Sequence, residues 1–223
     1  MDAIRVAVVN GTHLDDDDVR TGVRALQAQL DQDFGPAWQV DATLEVVPSG
    51  PSYSWQDAWG LVLLDRRLRD EKGPQGEETE QSLALRTYED AQSTPGGHPL
   101  ASVFVDDVAT GEDWTHLASH ELLEVLIDPD GRGAVFVMTT PPSFHLYAKR
   151  VCDPCAAHGD GYERYGRQVC NFVHPAWFGG ATLGHTTTFD QQGSIDGPFQ
   201  TRPDCSIKDT EIERVALRFP WPP

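Results

Sequence analysis

Apolar and polar positions along the first half of the chain follow two periods, one for strands and one for helices. The run IRVAVV (4–9) is apolar and β-branched and is closed by the turn pair Asn10-Gly11, which predicts a buried strand. Four aspartates at 15–18 follow and supply an N-cap and a negatively charged first turn for a helix. Val19, Val23, Leu26, Leu30 and Phe34 then recur at helical spacing, and Gly35-Pro36 is expected to end that helix. Val40, Ala42, Leu44 and Val46 alternate with polar neighbours, the period of a half-buried strand. The unbroken apolar run WGLVLLD (59–65) has the pattern of a central strand covered on both faces.

The polar stretch from Arg66 onward reads as an exposed loop, with its acids Glu77, Glu78 and Glu80 in solvent. SLALRTYED (82–90) suits a short edge strand, and LASVFVDD (100–107) another strand. Trp114 to Ile127 reads as a helix. Beyond Asp128 regular periods fade into a segment rich in Pro, Gly, Cys and aromatic residues. The expectation is one α/β domain over 1–223. Residues 1–128 would form the sheet and its helices, and 129–223 a loop-rich lobe packed on them.

Candidate chemistry concentrates in SHELLEVLIDP (119–129). Its spacing is close to the H-E-x-x-H signature of zinc metallopeptidases, with Glu124 where the second histidine stands. On a helical wheel with His120 at the origin, Glu124 falls at about 40°, Asp128 at about 80° and Glu121 at about 100°. Leucines, valine and isoleucine fill most of the remaining arc, leaving one narrow acidic strip that only Leu117 interrupts. Glu124 and Asp128 are like charges at i,i+4, which destabilises a helix by a few tenths of a kcal/mol unless something neutralises them. No Lys or Arg lies between Val108 and Gly131. A bound cation would remove the conflict. His120 and Glu124, one turn apart, can grip one ion, while Glu121 sits beside it as a general base. Imidazole and carboxylate ligands suit zinc best, with other first-row divalent ions allowed.

Charge narrows the partners. Against 17 Lys and Arg stand 35 Asp and Glu, a formal net charge of −18, which argues against a phosphate-binding surface and so against nucleic acid. The apolar run at the N-terminus is shorter than the roughly 7–15 residues of a signal peptide, and nothing approaches the roughly 20 of a membrane span. The expected location is the cytoplasm, with no membrane contact and with the four cysteines reduced.

Several stretches together resemble a family of bacterial and phage-associated proteins described as zinc-metallopeptidase-like. QAQLDQDFGPAWQVDATLEVV (27–47) is similar to the family's Q-x-x-x-D-F-x-P-x-W-x-V-x-A, and PLASVFVDD (99–107) to the strand before its active helix. SHELLEVLIDP is similar to S-H-E-x-L-E-x-L-x-D-P, VCDPC (151–155) to a V-C-D-P segment and GPFQTRP (197–203) to P-F-x-x-R-P. GYERYGRQVCNFVHPAWF (161–178) resembles Y-x-x-x-G-x-x-V-S-x-F-x-x-P-x-[YF]-F. The resemblance implies a zincin-like α+β fold: a mixed sheet with a backing helix, a motif-bearing helix and a loop-rich C-terminal lobe. It also implies one zinc ion and hydrolysis of a peptide or related amide, with a non-catalytic metal-binding module on the same scaffold as the alternative. The chain departs from the family where Arg150 replaces a Glu before V-C-D-P, Cys170 a Ser and His174 a Thr.

The third ligand has two candidates. Asp128 lies at i+8 from His120, about 12 Å along a helix, and reaches the ion only if the helix breaks early; otherwise it caps a turn before Pro129. Asp153 comes from a separate segment, as third ligands do in zincins, and is preferred. A set of His120, Glu124 and Asp153 carries two anions, which weakens the ion's pull on bound water and leaves more of the work to Glu121. Cys152 and Cys155 form a C-x-x-C pair that could hold a second, structural zinc, though Cys170 and Cys205 are single and distant, and buried thiols are the plainer reading. A Cys170–Cys205 bridge is expected only in an exported protein. Tyr162 or Tyr165 could donate to an oxyanion, and His174 could line the cleft.

Overall fold

The structure, a computed structural model, describes residues 3–47, 55, 57–65, 93–105, 113–138, 144–156, 160–179, 188–202, 205 and 211–212. The edge strand expected at 82–90 and the acidic loop before it lie outside these residues.

Four strands, β1 (Ile4–Gly11), β2 (Ala42–Val47), β3 (Trp59–Leu64) and β4 (Leu100–Phe104), form a sheet in the order β2-β1-β3-β4. All three pairings are parallel, with Val6 opposite Leu44 on one side and Trp59 on the other. The antiparallel member that a mixed sheet requires is not among the described strands. The helix between β1 and β2 returns the chain in the same direction, which makes that pair parallel. Both faces of the sheet centre are covered, as the continuous apolar runs require. Val6, Val8, Leu61, Leu63 and Val103 face one apolar cluster, and Ala7, Val9, Val62, Leu64 and Leu100 face another.

Helix α1 (Asp16–Gln29) starts where the aspartates place it: the Asp15 carboxylate accepts from the N–H groups of Asp17 at 2.9 Å and Asp18 at 3.0 Å. It does not stop at Gly35-Pro36. The chain passes through a π turn (Leu30–Phe34) into a short helix α2 (Gly35–Trp38), and reverses only at Gln39, with φ 56°. Pro36 occupies the first turn of α2, where its fixed φ suits the helix. Gly35 is needed because a Cβ there would lie 2.6 Å from the Leu30 carbonyl oxygen and 2.7 Å from that of Val40. The Gln27 amide ties α1 to β2, accepting from the Leu44 N–H and donating to the Ala42 carbonyl.

Helix α3 (Trp114–Ile127) has the expected bounds and packs on the same sheet face as α1. A Cβ on Gly22 of α1 would overlap the Trp114 ring, which sets how closely the two helices approach. The second half of the chain adds two small antiparallel sheets. One contains β5 (Ala134–Met138), β6 (Phe144–Ala148) and β9 (Glu211–Ile212); the other is the hairpin of β7 (Tyr162–Arg164) and β8 (Arg167–Val169). Two 3₁₀ turns, Asp153–Cys155 and Pro175–Phe178, connect them with the core. Val151, Val169, Phe172, Trp177 and Ile195 share one apolar cluster with Leu26, Leu61 and Leu122, so the loop-rich half completes the core of the first half. Among the described residues no helix is long and apolar enough to cross a membrane.

Candidate metal centre

Helix α3 carries two residues of the site and is itself fixed by its buried side chains. Leu122, Leu123 and Leu126 are in the core, and Thr115 and Ser119 are buried hydroxyls facing the second half of the chain. Thr115 donates to the Gln168 carbonyl at 2.6 Å, and the Ser119 hydroxyl accepts from the Cys170 N–H at 2.6 Å. These bonds hold the helix against β8 and the strand-like segment after it, so His120 and Glu124 point where residues 151–155 return to the helix.

There His120, Glu124 and Asp153 converge, each offering a ligand atom within 4.8 Å of the other two. His120 Nε2 lies 3.1 Å from Asp153 Oδ1. Glu124 is 3% exposed, although the wheel places it beside a solvated strip. Its Oε1 accepts from the Cys152 N–H at 2.7 Å, and its Oε2 has no hydrogen-bond partner. The Arg150 guanidinium stands 4.0 Å from Oε2, near enough to lend charge but too far to donate. Oε2 thus lacks a well-formed hydrogen bond beside an imidazole and a second carboxylate, with the Val151 N–H and the Arg150 guanidinium as its nearest help.

The electrostatics follow from burial and proximity. Burial alone would lower the pKa of His120, but the hydrogen bond to Asp153 and the charges of Cys170, Glu124 and Glu121 outweigh it and raise the imidazole to about 10. Burial pushes Glu124 up to about 7 against the opposing pull of His120 and the Cys152 N–H. Without a metal, a proton on His120 serves as the cluster's cation. The donor set, one imidazole nitrogen and carboxylate oxygens, has the chemistry of a zinc or other first-row divalent site.

Other candidates are placed as follows. Glu121 is half-buried beside His120, and its charge contributes to raising that imidazole. The Asp128 carboxylate accepts from the Gly133 N–H at 2.8 Å and the Arg132 N–H at 3.1 Å, so it closes the turn after α3 and is outside the cluster. Tyr162 donates to Asp33 at 3.1 Å and accepts from Gln29 at 3.2 Å; Tyr165 is exposed at the hairpin tip beneath Arg24. His174 contacts Gln191 and Thr188. Among the described residues no metal-binding group includes a cysteine: Cys152 faces Cys170, and Cys205 donates to the Asp153 carbonyl at 3.4 Å. None of the four cysteines forms a disulfide in this structure, the Cys170–Cys205 pair included.

Comparison with known protein families, with curated proteins and with solved structures finds no match to this chain. The site therefore has to be read from its own geometry. Sequence reasoning overlooked one pair near it. His116, one turn before His120, lies 2.5 Å from Asp160, which is 1% exposed. The i,i+4 spacing of His116 and His120 was visible, but nothing in the sequence singles out Asp160.

Proposed function

We propose that this protein binds one divalent ion, zinc first among the candidates, through His120, Glu124 and Asp153, on a zincin-like scaffold. The observation that carries this reading is the convergence of the three ligand atoms on a buried Glu124 whose Oε2 lacks a well-formed hydrogen bond. A buried carboxylate oxygen without a donor costs about 1–3 kcal/mol or more, and a cation shared with His120 and Asp153 would remove that cost.

The reaction that fits best is hydrolysis of a peptide or related amide. A zinc ion there would supply electrophilic polarisation of a carbonyl and acidification of water. Glu121, next to His120 but turned away from Glu124 by helical geometry, takes the proton from the attacking water and delivers it to the leaving amine. In the metal-free cluster Asp153 orients the His120 ring through its hydrogen bond. A second reading, a metal-binding module without catalysis, draws support from the ligand set: two carboxylates leave a zinc ion near neutral and a weaker acid for water.

Glu121→Gln separates the two. On the hydrolase reading the variant keeps its zinc and loses hydrolysis of a quenched-fluorescence peptide library by at least about 100-fold. A wild-type protein loaded with zinc that cleaves no member of the library favours the non-catalytic module.

A further inference from the structure

Cys152 and Cys170 lie side by side against the candidate metal centre, and neither thiol has a role in the reading above. Their sulfurs are 3.4 Å apart, in contact, and both residues are fully enclosed in the core. A disulfide needs about 2.05 Å, so closure asks for an approach of about 1.4 Å. Neither backbone is free to move alone. The Cys152 N–H holds Glu124 Oε1, its sulfur lies 3.8 Å from the His120 carbonyl, and the next residue is Asp153. Cys170 is anchored by its N–H to the Ser119 hydroxyl and by its carbonyl to the Gln29 amide at 2.8 Å. The three cluster residues are thus each within one residue or one hydrogen bond of this thiol pair.

We propose that Cys152 and Cys170 are an oxidisable pair that closes to a disulfide and, in closing, displaces the Cys152–Asp153 segment from its position against Glu124. With a peroxide as oxidant the step balances. One cysteine sulfur attacks a peroxide oxygen, forming S–O as O–O breaks, and leaves a sulfenic acid and water. The other sulfur then attacks the sulfenic sulfur, S–S forms as S–O breaks, and a second water departs. Two thiols lose two electrons and two protons, and one hydrogen peroxide becomes two waters. The effect on metal affinity rests on the proposed metal site; the bridge itself does not.

The test is differential labelling of the full chain. Purified reduced protein is treated with hydrogen peroxide, quenched, denatured and alkylated; it is then reduced, given a second label and mapped by mass spectrometry. The expected result is that two of the four cysteines, Cys152 and Cys170, carry the second label while Cys155 and Cys205 carry the first. Cys170→Ser should remove the second label from Cys152, and Cys155→Ser should leave the pattern unchanged. First label on both Cys152 and Cys170 after peroxide, or a bridge that includes Cys155 or Cys205, would overturn the proposal. In the second arm the oxidised protein should bind zinc at least tenfold more weakly than the reduced protein, and equal affinity would overturn the coupling. Failure of the reduced protein to bind zinc would defeat the metal assignment and leave the bridge to be judged by the labelling alone.

Discussion

Glu124 is the residue on which the site turns. Its carboxyl is buried, half satisfied, and held near a pKa of about 7, so as an anion it stabilises the fold only when a cation is near. Glu124→Gln keeps an oxygen for the Cys152 N–H and removes the ionisable group. The metal-free variant should melt at a higher temperature than the wild type, by about 1 kcal/mol of stability, while zinc affinity falls at least about tenfold. Calorimetric melting with and without zinc checks both signs. Proton linkage gives a second prediction. Both His120 and Glu124 have raised pKa values, so the metal-free native state holds more protons than the unfolded chain. Their joint contribution to stability should therefore fall as pH rises from the ordinary carboxylate value through about 7 and on toward about 10. Zinc competes with the same protons, so its affinity should rise over that window, and proton release on zinc addition in weak buffer measures this directly.

At the scale of elements, the two aspartates considered as third ligands differ in what they hold. Asp128 closes the turn after α3 and Asp153 opens the 3₁₀ turn facing His120. Asp128→Ala should cost about 1 kcal/mol of stability, read from denaturant midpoints, and leave zinc affinity unchanged. Helix α3 was legible because its apolar arc is wide and Pro129 follows its end, β1 and β3 because their runs are β-branched or unbroken, and β2 because its apolar positions alternate. The end of α1 was misread, since a π turn and a glycine wedged between two carbonyls let the helix continue past Gly35-Pro36. The burial of Glu124 was hidden for a different reason. A wheel orders residues around one helix, whereas the chain that covers Glu124 returns from residues 151–155, and its contacts come from tertiary packing. Asp153 was reached through resemblance and not through spacing.

For the whole molecule, the two halves share one apolar core and are joined at a polar node on Asp33, while a second node on Asp190 ties together segments of the second half. Asp33 accepts from Arg164 at 2.6 Å, from Tyr162 and from Gln191; Asp190, fully buried, accepts from Asn171 at 2.7 Å, from Ser194 and from the Ile195 N–H. Burial works to raise the pKa of Asp190, but those donors outweigh it and hold the carboxyl below its usual range. Its contribution is in place above the ordinary carboxylate pKa and is lost as pH falls through the lowered one. Asp190→Asn should therefore reduce stability at neutral pH, with the difference from wild type shrinking in strong acid. Because the site is built from both halves, an ion bound there should stabilise both together, by about 2.7 kcal/mol at a free concentration 100 times Kd. The most direct measurement is a zinc titration by calorimetry of the wild type, Asp153→Ala and Asp128→Ala, with the metal content of each confirmed by elemental analysis. The account predicts one equivalent of zinc on the wild type and on Asp128→Ala, and at least a tenfold weaker site in Asp153→Ala. Equal zinc affinity in the wild type and Asp153→Ala, or no zinc on any of the three, would contradict it.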